Sequence, residues 1–333
     1  MKLTIYTVAQ EAGVSIATVS KVINNTGRIS EKTRQKVLKT MERLNYHPST
    51  VASALTGKGT KNIGLLVPDV ANPFFAEITR SIEDYSNSLD YGVMICSTDN
   101  KSERERKYVS LLLRQKIDGI ILASNFQNEE LIQELLDKKV PIVLLAQEVP
   151  SMSIASVTID DFKGGSIAMQ HLLSLGHRNI GIITENNRSG KKRLHAYRQM
   201  LEEYGVEIDE SYIMKCEASI SDGAYYGEKL LRHPSRPTAI FACNDMIALG
   251  VMTAARNAGI SIPDELSVIG FDNTIMSTVT VPLLTTVSQP IREMGRKTVQ
   301  LLMEDIEKGD AFKQSILYSP ELVVRQSTAL QKQ

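Results

Sequence analysis

The chain has 333 residues, no net charge and 42% hydrophobic residues, which favours two or three packed domains. No apolar run approaches the roughly 18 residues of a membrane span, and the first residues lack a signal-peptide core. The three cysteines and five histidines are too scattered for a disulfide framework or a metal site. We therefore expect a cytoplasmic protein without metal or cofactor.

The net charge of zero hides an asymmetry along the chain. Residues 1–60 hold nine Lys or Arg and three acids, so their net charge is +6 and that of the remainder is −6. A basic head on an acidic body is typical of a protein whose head binds a polyanion such as nucleic acid. A charge cluster alone is more often a solvated face. Whether this one binds nucleic acid therefore depends on the secondary structure that carries it.

Residues 7–24 predict two short helices separated by a turn. We expect Thr7 to cap the first helix and Gln10 to complete a capping box. Gly13 supplies the turn, and Ser15 caps the second helix. The side chains of the second helix that are left free to face a partner are Ile16, Ala17, Ser20, Lys21 and Asn24.

Two helices joined by a short turn match the helix-turn-helix unit, whose second helix enters the DNA major groove. An ordinary helical hairpin fits the same pattern, but the basic charge favours DNA. A third helix is predicted from Ser30 to about Leu44, where Val37 and Met41 repeat at helical spacing. We assign residues 1–46 to an all-α DNA-binding domain.

Residues 47–61 form a separate segment between this head and the rest of the chain. Pro48 can start a helix and Gly57 can end one. The residues between them are too few for a stable isolated helix. The segment is therefore either a linker or a hinge helix that forms only against a partner.

From residue 62 onwards, short apolar runs alternate with helical patterns. Strands are predicted at 63–67, 93–96, 119–122, 142–145, 157–159, 180–183, 239–243 and 266–271. Helices are predicted at 74–89, 103–115, 162–175, 193–204 and 245–258. This alternation predicts parallel sheets built from right-handed βαβ units. There are too many such units for one ordinary domain.

We expect an α/β core of two lobes that split near Asp160. A late helix at 291–307 and strands at 316–318 and 322–324 could return to either half. We assign 62–160 with 291–318 to one lobe and 161–288 with 321–333 to the other. Ligands of open α/β sheets bind beyond the carboxyl ends of the strands, so two such sheets predict a cleft that closes by a hinge.

Several distinct short motifs are spread along nearly the whole chain. They are Val8-Ala9, Ala12-Gly13-Val14-Ser15, Thr18-Val19-Ser20, Asn72-Pro73-Phe74-Phe75, Gly176-His177, Asn244-Asp245 and Gln289-Pro290. In these motifs the chain resembles the LacI/GalR family of bacterial transcription regulators. The resemblance implies a homodimeric repressor with a periplasmic-binding-protein-like core, a small-molecule effector (a sugar or related metabolite) and a double-stranded, near-palindromic DNA operator.

The resemblance also implies which residues contact DNA. Ile16, Ala17 and Lys21 take base-reading positions. The positions similar to phosphate contacts are Ser15, Thr18, Ser20, Asn24, Thr33 and Tyr46. Leu55 looks like the hinge leucine that enters the minor groove. Lys21 stands where the family usually has Arg, and Lys lacks the planar fork that reads guanine.

In the core, the resemblance implies an effector site. Its residues are Asn72, Phe74, Phe75, Arg193, Asn244 and Asp272. Arg193 offers donors and Asp272 offers acceptors, which suits a polyhydroxylated or an anionic molecule. Read from the residues alone, Arg193 could instead be a surface arginine and Asp272 a turn cap. Ala218 stands where many relatives carry an aromatic, which leaves the ligand class open.

Two other functions fit parts of this pattern. A solute-binding protein or sugar-binding sensor would share the two lobes but has no use for a basic helix-turn-helix head. An α/β enzyme would need a motif that the sequence lacks, such as a dinucleotide fingerprint, a P-loop or a nucleophile elbow. We therefore expect no catalysis. No leucine heptads follow Arg325-Gln-Ser-Thr, so a tetramer formed through such a tail is not expected.

Overall fold

The computed structural model describes residues 4–24, 26–46, 59–123, 126, 128–309 and 313–332. The chain divides into two compact units, residues 1–62 with 111–118, and residues 63–110 with 119–333. Within the described ranges, no helix is both long enough and apolar enough to cross a membrane.

The first unit contains three short helices, α1 (Ile5–Ala12), α2 (Ile16–Ile23) and α3 (Glu31–Arg43). They pack around a small core whose fully buried side chains are Val8, Ala12, Val19 and Val37. This arrangement confirms the predicted helix-turn-helix followed by a third helix.

The prediction that Thr7 caps the first helix, with Gln10 completing a capping box, was wrong. Helix α1 starts one turn earlier, and Thr4 is the residue that precedes it. Thr7 lies inside the first turn, where its Oγ1 accepts from the Thr4 backbone N–H at 3.4 Å. The helix extends back because Ile5 packs against the core formed by Val8 and Ala12, and burial favours including that residue.

The other predicted helix ends are confirmed. Gly13 ends α1 at φ 58°, a left-handed conformation that glycine adopts without a steric cost. Ser15 caps α2, and its Oγ accepts from the Thr18 backbone N–H at 3.1 Å. Ser30 caps α3 in the same way toward Thr33, at 3.3 Å. These caps fix where α2 begins and hence which of its side chains face outwards.

The second unit contains two six-stranded sheets. The first has the order β11-β5-β4-β3-β1-β2. Its strands are β1 (Asn62–Val67), β2 (Gly92–Ser97), β3 (Gly119–Ala123), β4 (Ile142–Leu145), β5 (Ala155–Ile159) and β11 (Ser315–Tyr318). The pairs β1–β3, β3–β4, β4–β5 and β5–β11 are parallel.

The second sheet has the order β12-β10-β9-β8-β6-β7. Its strands are β6 (Ile180–Glu185), β7 (Ile213–Cys216), β8 (Ala239–Ala242), β9 (Ser267–Asp272), β10 (Thr285–Ser288) and β12 (Glu321–Val323). Only the edge pair β10–β12 is antiparallel among the pairings described in this sheet. The late strands β11 and β12 therefore belong to different sheets.

Eight helices of the described residues connect these strands. They are α4 (Pro73–Ser88), α5 (Ser102–Arg114), α6 (Glu129–Asp137), α7 (Asp161–Ser174), α8 (Arg188–Glu203), α9 (Ile220–Leu231), α10 (Asp245–Asn257) and α11 (Ile291–Lys308). Helices α4 and α11 pack on the first sheet and share one apolar core with it. Two further cores lie against the second sheet.

Strands β7 and β10 were not predicted, and helices α6 and α9 were not among the helical segments that the sequence analysis named. Strand β10 is Thr-Thr-Val-Ser, which lacks the apolar run expected of a buried strand. It is nevertheless buried because it lies between β9 and β12, where hydroxyls such as that of Thr286 find partners. Strand β7 is an edge strand of alternating burial, and such short strands have a weak sequence signal.

Candidate functional site

The three predicted base-reading side chains lie on one exposed face of α2. Ile16 is 40% exposed, and Ala17 and Lys21 are exposed as well. The opposite face of the helix carries Val19 and Val22, which are buried in the head core. An exposed isoleucine beside a small residue and a lysine leaves a surface that suits the edges of bases in a groove.

The predicted phosphate-contacting residues surround this face less uniformly. Ser15 is exposed, whereas the others are half-buried: Thr18, Ser20, Asn24, Thr33 and Tyr46. The Ser15 and Thr18 hydroxyls are 2.9 Å apart, and Asn24 Nδ2 donates to Ser20 Oγ at 3.2 Å. Tyr46 packs against the head core. Leu55, the predicted minor-groove residue, lies outside the described residues.

In the second unit, a cavity of about 510 Å³ lies at the carboxyl ends of strands from both sheets. All six residues predicted to bind an effector line it: Asn72, Phe74, Phe75, Arg193, Asn244 and Asp272. They come from distant parts of the chain. Parallel strands of each sheet end at the same edge, and this brings them together.

The wall from the first sheet is aromatic where α4 begins. Asn72 caps this helix, and its Oδ1 accepts from the Phe74 backbone N–H at 3.0 Å. The rings of Phe74 and Phe75 meet edge to face with centroids 5.1 Å apart. Phe74 is buried in the core and Phe75 is half-buried. The pair therefore supplies a rigid apolar wall.

Arg193 is buried, so it is not the surface arginine that the sequence left open. Its Nε and Nη2 donate to Asp161 Oδ1 at 3.0 and 2.7 Å, and its Nη1 donates to the carbonyl of Cys243. Its guanidinium also lies 3.5 Å from the centre of the Phe271 ring. Three of its five guanidinium N–H groups are thus bound within the protein.

Asp272 ends β9 with φ 110°, a conformation that few residues other than glycine adopt. Gln289, which follows β10, donates from Nε2 to Asp272 Oδ1 at 2.7 Å. Burial raises the pKa of Asp272 well above its ordinary value, and the nearby Arg193 opposes that rise. The carboxyl is held at the cavity wall by its neighbours and does not merely cap a turn.

Glu185 ends β6 and lines the same wall. It accepts from Asn187 Nδ2 at 2.9 Å and from Asn244 Nδ2 at 3.2 Å. Burial raises the pKa of Glu185, while Arg193 and the Asn244 amide lower it. Asn244 also caps α10, because its Oδ1 accepts from the Ile247 backbone N–H at 2.8 Å. Asn244 therefore connects the start of α10 to the Glu185 carboxylate on the cavity wall.

An ionic contact joins the two walls at Glu148, which follows β4 of the first sheet. Arg188 at the start of α8 donates to both the backbone carbonyl and the carboxylate of Glu148. Lys192 Nζ lies 3.4 Å from the same carboxylate. Since α8 packs on the second sheet, this contact spans the cleft between the sheets.

Comparison with known proteins agrees with this geometry. Residues 4–49 match "Bacterial regulatory proteins, lacI family", and residues 169–328 match a periplasmic binding protein-like domain. The chain is 47% identical to the HTH-type transcriptional regulator DegA of Bacillus subtilis, over 99% of each chain. The chain belongs to the LacI family. It is a transcriptional regulator.

Two solved structures extend the comparison. A Lac repressor dimer bound to operator and an anti-inducer has a TM-score of 0.88 at 29% identity, covering 99% of this chain and all of that chain. A LacI-family regulator from Enterococcus faecium with bound ribose has a TM-score of 0.75 at 31% identity, covering 81% of this chain and all of that one. The α/β core of this LacI-family chain thus has the fold of effector-bound relatives.

Sequence reasoning missed several cavity residues of this LacI-family regulator, among them Asp161, Glu185, Gln289 and Glu148. Glu185 directly follows a predicted strand, a position that could have marked it. Gln289 belongs to the Gln289-Pro290 motif, but the strand that precedes it, β10, was not predicted. Glu148 has no local signal, since its role depends on an arginine from another lobe.

Proposed function

We propose that residues 1–46 bind operator DNA, that 47–61 link head and core, and that 62–333 form the dimer and hold a small effector. The lobes are residues 62–160 with 291–318 and residues 161–288 with 321–333. The observation that carries this proposal is that one chain has both features: an exposed recognition face on α2 and a cavity lined by residues from two sheets. A solute-binding protein needs only the second feature.

The DNA-binding role is assigned to the exposed face of α2. Ile16, Ala17 and Lys21 would meet base edges, with Ser15, Thr18, Ser20, Asn24, Thr33 and Tyr46 toward phosphates. One helix reads too little sequence alone, and a two-fold dimer doubles the site. The Lac repressor relative was solved as a dimer on its operator, which supports this arrangement.

The effector role is assigned to the cavity. A molecule that touches Phe75 from the first sheet and Asp272 from the second favours the closed form over the open one. That preference couples ligand binding to DNA binding, typically by about 1–3 kcal/mol. The ribose-bound relative supports a small polar ligand. We also infer that the cavity binds its ligand without turnover, because the relatives are regulators.

The test is DNase footprinting and fluorescence anisotropy of the full-length protein on a duplex from its own promoter region. We expect a footprint with dyad symmetry and an affinity that falls steeply with salt, because bound phosphates release counterions. A scrambled duplex of the same length is the control. Footprints without a dyad, or an affinity that does not change with salt, contradict the DNA-binding role.

A further inference from the structure

The deep wall of the cavity carries more carboxylates than cations. Arg193 is the cation at this wall, where Asp161 binds it directly and Glu185 and Asp272 lie close enough to act on it electrostatically. One guanidinium thus faces three carboxylates. Buried charge without a partner is unfavourable, so this excess matters for what the cavity binds.

An anionic ligand finds no uncommitted cation among the described lining residues. Three of the five Arg193 N–H groups are taken by Asp161 and by the carbonyl of Cys243. Glu148 pairs with both Arg188 and Lys192. A phosphate or carboxylate would therefore compete with these carboxylates for the same cations.

The cavity wall also holds an acceptor that lacks a donor. Gln289 is 7% exposed, and its Oε1 has no hydrogen-bond partner among the described residues. Its Nε2 donates to Asp272 Oδ1, so Oε1 is the amide atom left without a partner. A buried acceptor without a donor is costly, so the ligand is the expected source of that donor.

We propose that the effector is a polyhydroxylated small molecule that carries a protonated amine, such as an amino sugar. Its ammonium would lie against the wall formed by Glu185 and Asp272 and donate to Gln289. An ammonium has three donors and no acceptor, which complements a wall of acceptors. This inference rests on the proposed function of the cavity.

Ligand binding then has a proton signature. Burial raises the pKa of Glu185, as do the nearby Glu217 and Asp161, while Arg193 and Asn244 lower it. A bound ammonium favours the ionised carboxylate and lowers this pKa again. Amine binding is therefore linked to proton exchange, whereas an uncharged sugar does not lower the pKa of Glu185 in this way.

The experiment is calorimetry on the full-length protein with matched probes. Glucosamine, galactosamine and mannosamine are each compared with the parent hexose, the N-acetyl form and the hexose 6-phosphate, in two buffers of different ionisation enthalpy. We expect at least one amine to bind about tenfold or more tightly than its uncharged partners, because charged hydrogen bonds are stronger than neutral ones. Its enthalpy should depend on the buffer, because amine binding is linked to proton exchange.

The proposal is wrong if no amine binds more tightly than its uncharged partner, or if a phosphate binds more tightly than every amine. The role of the cavity is tested separately. An uncharged sugar or a sugar phosphate that binds and alters operator affinity would leave the proposed function intact while overturning the amine. Absence of an operator footprint would instead contradict the proposed DNA-binding role.

Variants identify the residues responsible. Glu185→Gln removes the charge with little change of shape, and it should bring the preference for the amine close to parity and reduce the dependence of the enthalpy on the buffer. Glu202→Gln, an exposed position on the same helix as Arg193, is the matched control and should keep both. If Glu185→Gln does not fold, Asp272→Asn removes the neighbouring charge. A folded variant that keeps the full preference contradicts the assigned wall.

Discussion

Arg193 and Asp161 form a buried ion pair between α8 and α7, with side chains that are 5% and 13% exposed. The pair lies on the cavity wall, and the guanidinium also covers the ring of Phe271. Arg193 therefore has two roles. It pairs with a carboxylate beside the second sheet, and it shapes the cavity surface that we propose meets the effector.

Because the pair is buried, removing one partner leaves an uncompensated charge. We expect Arg193→Ala to lower the free energy of unfolding by about 3–5 kcal/mol. Urea denaturation of the full chain measures this. Arg80→Ala is the control, since the Arg80 side chain is 72% exposed beside its carboxylate partner and such pairs contribute about 0–1 kcal/mol. Equal small losses in both variants would show that the buried pair is not a major contributor.

Asp272→Asn should remove the effector response while keeping the fold. Asparagine tolerates the positive φ at this position better than most residues. Ligand-free operator binding should stay nearly unchanged if the effector is an inducer. With a corepressor, the variant should bind DNA only in the weak, unliganded manner. Calorimetry measures the ligand directly, and wild-type affinity in the variant would remove Asp272 from the site. Asp264→Asn, an exposed position, is the control.

Lys21→Ala should reduce discrimination among operator variants at one position in each half-site. Lys21 is exposed beside Ala17, which is small enough for close approach to base edges. Anisotropy against a set of single-base variants measures the discrimination. Lys39→Ala on α3 is the control. A uniform loss across all sequences would assign Lys21 to a phosphate contact.

Leu55→Ala tests a residue outside the described ranges. The sequence places Leu55 in a segment too short to fold alone, and an apolar side chain inserted between base steps opens the minor groove. We expect the variant to weaken operator binding by about 1–3 kcal/mol and to leave the dimer intact by sedimentation. Normal operator affinity, together with protected amides in free protein, would contradict a role in the minor groove.

His177 predicts an acid-sensitive contribution to stability. Burial lowers its pKa from the ordinary value of 6.5, and its Nδ1 and Nε2 lie 2.9 and 3.1 Å from the hydroxyls of Thr238 and Ser267. As the pH falls through 6.5, the unfolded chain gains a proton that the folded chain resists, so this contribution is lost.

The measurement compares free energies of unfolding between about pH 7.5 and about pH 5.5, where histidine titrates. Buried carboxyls such as Asp272, whose pKa is raised, change stability in the opposite direction on acidification. The difference between the wild type and His177→Asn therefore isolates the histidine. We expect a shallower loss in the variant, by at most about 1.4 kcal/mol per pH unit. Parallel pH profiles would contradict the assignment.

Local pattern was sufficient to predict much of the fold. The apolar runs gave most strands of both sheets, and Ser15, Gly13 and Ser30 gave the helix ends of the head. These signals are local because caps and periodicity depend on residues a few positions apart. The start of α1 was misplaced by one turn, since burial of Ile5 against the head core decided it.

The residues of the effector cavity were named from family motifs, but only the tertiary structure decided what surrounds each one. The sequence could not tell a buried Arg193 from a surface one, because Asp161 and the Cys243 carbonyl reach it from other elements. The excess of carboxylates and the unpaired oxygen of Gln289 likewise arise where strand ends from distant parts of the chain meet. The sequence determined the elements and the charge of the head. Charge balance and hydrogen-bond satisfaction inside the cavity depend on neighbours that only folding brings together.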